Sequence, residues 1–252
     1  VVLMQSVSQA KDWVVYEGDS GPGKGKHIVF IASDHEYRGE ETCPAIARIL
    51  AKHYGFKCTV LFGLDDKGFI KAGSSRIPGM EALENADMMF LFMRFLNPAD
   101  ESMKYFDDYL KRGGPVLGLR TTTHAFNGIK GKYEKYHFRY NKEDYHMGFG
   151  RQVLGETWAG HYGQNHKCST RLDAVPEQSG HVVLTGVKDM HCKAGAYDAN
   201  PMANSVILAN NQVLKTMEQG SEPLEGNPPK PAVWVRTYKS ESGKEGRVFC
   251  ST

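Results

Sequence analysis

The chain has 252 residues, of which 40% are hydrophobic, and this is enough for one large domain with a sizeable core. Lysine and arginine total 31 against 29 aspartate and glutamate residues, and the basic residues are scattered, so the composition argues against a nucleic-acid-binding protein. The five cysteines lie far apart without a CxxC pair, which argues against a zinc ribbon and a dense disulfide framework.

Residues 1–25 are interpreted as an N-terminal arm. The opening "VVLMQSVSQA" resembles the tail of an apolar signal segment, with the small residues Ser8 and Ala10 at the positions that a signal peptidase prefers. This predicts a periplasmic or secreted protein, and the alternative is a frayed arm on a cytoplasmic protein. One α/β domain is predicted over residues 26–252, and we expect a covering helix to follow its last strand pattern, "EGRVFCST", in the complete domain.

From residue 26 to residue 119, strand patterns alternate with helix patterns. This order is typical of an α/β fold that has a mostly parallel sheet with helices on both faces. The predicted strands are His27–Ala32, "FKCTVLFG", Asp87–Phe92 and "PVLGL", and the predicted helices are Thr42–Tyr54, Met80–Asn85 and Asn97–Arg112. Glycines at positions 55, 113 and 114 end the two longer helix patterns.

The sequence after residue 126 is less regular. Residues 127–150 are rich in tyrosine, lysine and histidine, which predicts a lid or a wall beside a site. Three apolar stretches, "STRLDAV", "HVVLTGV" and "SVILA", are predicted strands, and "PAVWVRTY" with "GRVFCST" predicts a hairpin that turns near Ser242 and Gly243. The sequence contains no internal repeat, no heptad pattern and no stretch that predicts a membrane span.

Polar residues directly follow the first and the fourth predicted strands. The first cluster is "SDHEYRGEE", residues 33–41, and the second is "RTTTHAF", residues 120–126. Open parallel α/β sheets bind ligands outside the carboxyl ends of their strands, where loops and helix N-termini converge. We therefore predict one cleft that contains His35, Glu36, Arg120 and His124.

The corner after "PVLGL" also resembles the nucleophile elbow of class I glutamine amidotransferases, in which a cysteine lies between a strand and a helix. Here Arg120 and Thr121 occupy the corner, while Cys43 belongs to the first helix and Cys250 to the last strand. Glutamine hydrolysis is therefore not expected. An unactivated threonine is a poor nucleophile, and the sequence has no GxSxG motif.

Several stretches resemble, in this order, the ThuA-like (trehalose utilisation) family: "HIVFIASDHEYRGEET", "GPVLGLRTTTHAF", "QVLGETWAGHYGQNH", "HVVLTGV", "AGAYDANPM", and "PAVWVRTY" with "GRVFCST". The resemblance covers residues 26–252 and implies the flavodoxin-like fold of class I glutamine amidotransferases without their catalytic cysteine. It also implies a link to the metabolism of trehalose and related sugars. The chain departs from the family pattern in reading "GHYGQNH", and the Gly-His pair that normally follows "RVFCST" is absent, so no role is assigned to that histidine.

The third candidate stretch is "ETWAGHYGQNH", which we expect to form a second wall of the cleft because its glycines allow tight turns around His161. His124 is a candidate general base, metal ligand or helix cap, and Arg120 either binds substrate oxyanions or pairs with Asp34 or Glu36. The predicted catalytic residues are His124, His161 and Glu36, and the predicted substrate-binding residues are Arg120, Thr121, His35, Tyr162, Asn165 and Tyr197.

No cofactor is evident from the sequence. The main variant of the enzyme hypothesis is a site for a divalent metal such as zinc. Its ligands would be His35, His124, His161 and Glu36, although no HExxH or other tight ligand spacing is present. The expected partner is a small-molecule carbohydrate, and the sequence leaves both the metal and a homo-oligomer open.

Two functions fit these residues. The first is a carbohydrate-processing enzyme that uses general acid/base chemistry on a keto-glycoside or a related sugar, as a lyase, hydrolase or isomerase. A proton beside a sugar ketone is acidic enough for a histidine or glutamate base, and no covalent nucleophile is needed. The second is a catalytically silent sugar-binding or assembly module that keeps the pocket without turnover.

Overall fold

A computed structural model of the protein describes residues 12–252, so the predicted signal-peptide positions Ser8 and Ala10 lie outside the described residues. The α-helices are α1 (Gly39–Tyr54) and α2 (Asp100–Lys111). The strands are β1 (Trp13–Tyr16), β2 (His27–Ser33), β3 (Lys57–Phe62), β4 (Met88–Met93), β5 (Val116–Leu119), β6 (His161–Tyr162), β7 (Thr170–Ala174), β8 (His191–Cys192), β9 (Ala196–Tyr197), β10 (Val206–Val213), β11 (Lys230–Lys239) and β12 (Glu245–Ser251). Short 3-10 helices span Met80–Asn85, Arg120–His124, Gly131–Tyr136, Glu143–Tyr145, Pro176–Gln178 and Val182–Leu184, and Gly150–Leu154 is a π-helical turn.

Ten strands form one mixed sheet in the order β1-β3-β2-β4-β5-β12-β11-β10-β7-β8, and β6 pairs with β9 in a separate ribbon. The strands from β3 to β12 in this row are mutually parallel, and the remaining pairs are antiparallel. All four strands predicted before residue 120 are confirmed within one residue at each end. Helix α1 ends where predicted, because Gly55 adopts φ 78° and caps it, but it begins three residues earlier than expected.

The alternation of side chains along β2 creates two separate cores. Phe30 packs with Cys43 and Ala47 of α1 on one face, while Ile31 packs with Phe106 of α2 on the other. The expected fold was a mostly parallel sheet with helices on both faces; within residues 12–252 α1 contributes to one core and α2, with short 3-10 helices, to the other. The fold is mixed α/β.

The predicted hairpin near the end of the chain is confirmed, since β11 and β12 pair from Val233↔Ser251 to Lys239↔Glu245. Trp234 of β11 is fully buried, and its Nε1–H donates to Leu154 O at 2.7 Å, which fixes the π-helical turn against the sheet. No helix in the described part of the chain is long and apolar enough to cross a membrane.

The strand prediction for "HVVLTGV" is wrong, because this stretch forms a 3-10 helix over Val182–Leu184. His181 starts the turn by accepting a hydrogen bond from the Val183 N–H at 3.2 Å, and Gly186 turns the chain again with φ 75°. The apolar pattern therefore does not reflect a buried strand: Val182 is 78% exposed.

The large aromatic side chains of residues 127–150 belong mainly to the main core. Tyr133, Tyr136 and Phe149 are almost fully buried there beside α2. The Tyr136 hydroxyl donates to Asp107 Oδ1 at 2.5 Å, so the polar tip of a core residue is satisfied. The segment that the sequence assigns to the N-terminal arm contains β1, which pairs with β3 at the edge of the sheet.

The order of the parallel strands reverses at β2. The chain leaves β2 to form β3 on one side and later forms β4 on the other side of β2. Ser33 and Met93 are paired in register at the ends of β2 and β4, so the loops that follow these strands start at the same level. Ligands bind at such a reversal of strand order in α/β proteins, and the polar residues described below lie there.

Candidate functional site

The chain turns sharply at Arg120, whose φ of 40° lies in the left-handed region that residues other than glycine rarely adopt. A single 3-10 turn, Arg120–His124, follows this corner. The hydroxyl of Thr122 donates to Leu91 O at 2.9 Å and accepts from the Met93 N–H at 3.3 Å, which ties the corner to β4. A strained residue costs about 1–3 kcal/mol and is retained mostly at functional positions, so the corner is a candidate site.

The Asp34 carboxylate holds the loop after β2 against this corner. It is fully buried; Oδ1 accepts the backbone N–H groups of Glu36 and Tyr37 at 2.7 and 2.6 Å, and Oδ2 accepts the Thr121 hydroxyl at 2.5 Å. These bonds fix where Glu36 and Tyr37 leave the sheet. They also occupy the Thr121 side chain, which is buried and does not line the cleft as a substrate-binding residue would.

Arg94, directly after β4, was not among the predicted site residues. Its Nε lies 3.0 Å from Glu36 Oε2, an ion-pair distance, although the Nε–H makes no hydrogen bond, and its Nη1 contacts His35 Nε2. Its guanidinium also covers the Phe95 ring at 4.7 Å. Arg94 could have been identified by the rule that indicated residues 33–41 and 120–126, because it is a charged residue at the carboxyl end of a parallel strand.

Arg120 is held between two tyrosine rings. Its Cζ lies 4.4 Å from the ring centroid of Tyr37 on one side and 4.4 Å from that of Tyr197 on the other. Nη2 donates to the Tyr37 hydroxyl and to Gly195 O, both at 2.8 Å. Neither Asp34 nor Glu36 forms an ion pair with Arg120, so its predicted structural partners are engaged elsewhere.

His124 is 1% exposed and lies among aromatic rings. Its ring centroid is 4.8 Å from that of Phe95, 5.0 Å from Trp158 and 6.0 Å from Tyr197. Burial, together with the positive charges of Arg94 and Arg120, lowers the pKa of His124 to about 3. The imidazole is therefore neutral at physiological pH, and in this structure it supports the aromatic wall of the cleft.

His161 lies on the same aromatic wall from the other side. Strand β6 pairs His161 with Tyr197 of β9, and the His161 ring is 5.7 Å from the Tyr197 ring and 5.8 Å from the Trp158 ring. The side chain is exposed. Burial of part of the ring, followed by the charge of Arg120, lowers the pKa of His161, so it is also neutral at physiological pH.

Two predicted residues of the same stretch are directed away from His124. Tyr162 is on the opposite side of β6, where its hydroxyl donates to Pro228 O at 3.0 Å and Lys230 lies over its ring. Asn165 bonds to the His166 ring at 3.1 Å and packs against Gly195, where an added Cβ would meet Asn165 Oδ1 at 2.7 Å. Asn165 thus supports the segment whose carbonyl binds Arg120.

The residues considered for zinc are not arranged as ligands. Between residues 12 and 252 there is no group of three or more His, Cys, Asp or Glu side chains that could hold a metal ion. His35 bonds to Arg94, and His124 is enclosed by rings. No cysteine of this range lies at the corner; burial raises the pKa of Cys43 in α1 to about 12.

The strand-end loops and the β6–β9 ribbon therefore bring one group of polar and aromatic side chains together. His35, Glu36 and Arg94 lie on the loops after β2 and β4, Arg120 contacts Tyr37 and Tyr197, and His161 lies on the ribbon beside Tyr197. The His124 and His161 rings both contact Trp158 and Tyr197, which gives the two histidines a common location. A neutral imidazole can accept a proton from carbon, and a guanidinium beside it can stabilise the negative oxygen that results.

The sequence matches no model of a known protein family and no curated protein. Its fold is similar to crystal structures of two provisionally named ThuA-like proteins. The protein from Parabacteroides merdae ATCC 43184 is 17% identical, with a TM-score of 0.50 over 90% of this chain and 79% of that chain. The protein from Bacteroides uniformis ATCC 8492 is 10% identical, with a TM-score of 0.52 over 94% and 84%. At these identities the similarity shows a ThuA-like fold alone.

Proposed function

We propose that the chain is a carbohydrate-processing enzyme that removes a proton beside the carbonyl group of a keto-glycoside or a related sugar. The ThuA-like fold supports a sugar context through the trehalose-utilisation link of that family. The observation that carries the proposal is the pairing of an exposed, neutral His161 with Arg120 across the Tyr197 ring. A glutamine amidotransferase reaction is not proposed, since the corner has no thiol.

His161 is the general base in this proposal. It is exposed, whereas His124 is buried and has a pKa of about 3, which makes it a weak base. His124 instead positions Trp158 and Tyr197. Because the pKa of His161 is lowered, the base stays unprotonated in mild acid, and the rate should fall only below the usual histidine pKa of about 6.5.

Arg120 stabilises the enolate. Removal of the proton moves negative charge to the carbonyl oxygen, and a guanidinium fixed between two rings needs no reorganisation to meet that charge. Its charge also helps to keep His161 neutral. Replacing Arg120 by glutamine should therefore reduce the rate and move the acid limb of the pH profile upward, a combination that a purely structural role would not produce.

The test is proton exchange on a keto-glycoside in D2O, followed by the loss of the 1H signal beside the ketone. We expect wild type to catalyse this exchange and His161→Gln to lose at least about 100-fold, the usual range for a general base. The same substitution at His53, an exposed residue of α1, is the control and should leave the rate unchanged. Absence of exchange with wild type, or equal rates for wild type and His161→Gln, would refute the proposal.

The second candidate is the silent sugar-binding module. It is favoured by the internal use of several polar groups, since Asp34, Thr121 and the Arg94–Glu36 pair are all engaged within the protein. This function predicts that sugars bind with unchanged 1H signals in D2O. It also predicts that His161→Gln affects affinity alone.

A further inference from the structure

Arg120 has hydrogen-bonding capacity that the protein does not use. Nη2 donates twice, but the buried Nε–H has no partner, and no hydrogen bond to Nη1 is formed by residues 12–252. A buried donor on a charged group is costly when it is left unpaired, and such exceptions in native structures point to a missing partner. Because both faces of the guanidinium are covered by rings, that partner has to approach in the plane.

The protein's own carboxylates do not supply this partner. Asp34 is saturated by two backbone N–H groups and the Thr121 hydroxyl. Glu36 pairs with Arg94 and accepts the Tyr37 hydroxyl at 3.3 Å. Asp34 and Glu36 carry two negative charges, and Arg94 and Arg120 carry two positive charges. The site therefore has no excess charge, and what Arg120 lacks is a hydrogen-bond acceptor.

Space for a ligand group exists beside Arg120. A cavity of about 190 Å³ has Arg120 in its wall, and most of the other lining residues are apolar or small, among them Phe92, Leu119 and Gly195. A single water needs only about 10–15 Å³ of such volume, so the cavity is large enough for a small polar group. Gly195 has to be small here, because an added Cβ would collide with Asn165, and its carbonyl anchors the guanidinium at the edge of the cavity.

We infer that Arg120 and this cavity form a subsite for a carboxylate, so that the substrate class is a sugar acid. This inference rests on the proposed function and narrows its substrate: the unused Nε–H and Nη1 bind the carboxylate, while the guanidinium charge stabilises the enolate. A planar carboxylate matches the planar edge of a guanidinium, and hydrogen bonds between ionised groups are about twice as strong as neutral ones. The aromatic neighbours Tyr37 and Tyr197 hold the guanidinium in place for it.

The test measures binding by calorimetry, with D-glucuronate, its methyl ester and D-glucose as probes. Wild type should bind glucuronate at least about 10-fold more tightly than the ester or glucose, as expected for a hydrogen bond to a charged group. Arg120→Gln should abolish this preference, and Arg120→Lys should keep part of it. Arg247→Gln is the matched control, since Arg247 is exposed on β12 at the opposite end of the sheet.

Equal affinities of wild type for glucuronate and its ester overturn the subsite, and this comparison needs no variant. A preference that persists in folded Arg120→Gln also overturns it. Equal binding of inorganic phosphate and glucuronate would show a general anion site and likewise contradict a sugar-acid subsite. The D2O exchange assay tests the proposed function separately. If exchange occurs without a preference for the carboxylate, only the subsite is refuted. If the preference occurs without exchange, only the enzymatic function is refuted.

Discussion

The burial of His124 should make the protein lose stability in mild acid. The side chain is 1% exposed, and burial with the charges of Arg94 and Arg120 lowers its pKa to about 3. In the unfolded chain the pKa of a histidine is about 6.5. Between these two values the unfolded state binds a proton that the folded state does not, so acidification favours unfolding.

The magnitude follows from the difference between the two pKa values. Below pH 6.5 each pH unit costs about 1.4 kcal/mol, so a change from pH 7.5 to pH 5 lowers the free energy of unfolding by about 2 kcal/mol through this one group. The contribution is complete above the unfolded pKa and is lost as the pH falls toward the folded value. His124→Phe removes the titrating group while it keeps a ring among Phe95, Trp158 and Tyr197.

Urea unfolding followed by tryptophan fluorescence at pH 7.5 and pH 5 measures this effect. The free energy of unfolding of wild type should fall by about 2 kcal/mol more than that of His124→Phe, because the other histidines titrate alike in both proteins. Thr123 keeps its bond to Arg120 O at 3.1 Å, so the variant leaves no buried hydroxyl unpaired. His53→Gln is the control and should follow wild type. An equal fall for wild type and His124→Phe would refute the burial of a neutral His124.

Three further outcomes follow from the same structure. Asp34→Ala should lower the free energy of unfolding by at least about 3 kcal/mol, since each of three orphaned donors costs about 1–3 kcal/mol, whereas Asp34→Asn keeps one acceptor and should cost about 1–3 kcal/mol; equal losses in urea unfolding would contradict this. A thiol reagent should modify one cysteine per native chain, because only Cys192 is exposed; more than one modified thiol before unfolding would contradict the burial of the others. Glu156→Gln should increase amide exchange in the segment that carries His161.

The parallel half of the fold was predictable because its strands are buried on both faces. Stretches such as "HIVFIA" and "MMFLFM" are continuous apolar runs, and Gly55 ends α1 by adopting a conformation that favours glycine. The second half lacks these signals. "HVVLTGV" has the composition of a strand, but its valines are exposed and a local His181 contact starts a turn, so composition alone predicted the wrong element.

The candidate site was predictable where topology alone brings residues together. Parallel strands end at one edge, so a charged residue after a strand is a candidate, and this rule indicated His35, Glu36 and Arg120. The rule also applies to Arg94, which interrupts the apolar run "LFMRFL" at the end of β4. The roles of the histidines could not be predicted, since the pKa of His124 depends on rings that come from residues 95, 158 and 197.

Glu156 connects two segments that flank the β6–β9 ribbon of this site. Its side chain is 7% exposed; Oε1 accepts the Thr157 N–H at 2.8 Å, Oε2 accepts the Asn200 N–H, and Arg151 Nη1 lies 3.4 Å from Oε1. The carboxylate therefore joins the segment before His161 to the segment after Tyr197. These are the two segments that the β6–β9 ribbon pairs, so Glu156 is a positioning residue for His161.

Replacing Glu156 by glutamine puts an amide NH2 where one carboxylate oxygen accepted a backbone N–H. One buried donor then loses its acceptor, which costs about 1–3 kcal/mol and should act mainly on local opening of the ribbon. Hydrogen exchange measured by mass spectrometry should become faster for peptides that cover residues 158–163 and 196–202 and stay unchanged in β2 and β4. Glu134→Gln is the matched control, because Glu134 pairs with Lys142 at 3.5 Å on the surface. Faster exchange in β2 and β4 as well would mean that Glu156 stabilises the whole domain, and the positioning role would be wrong.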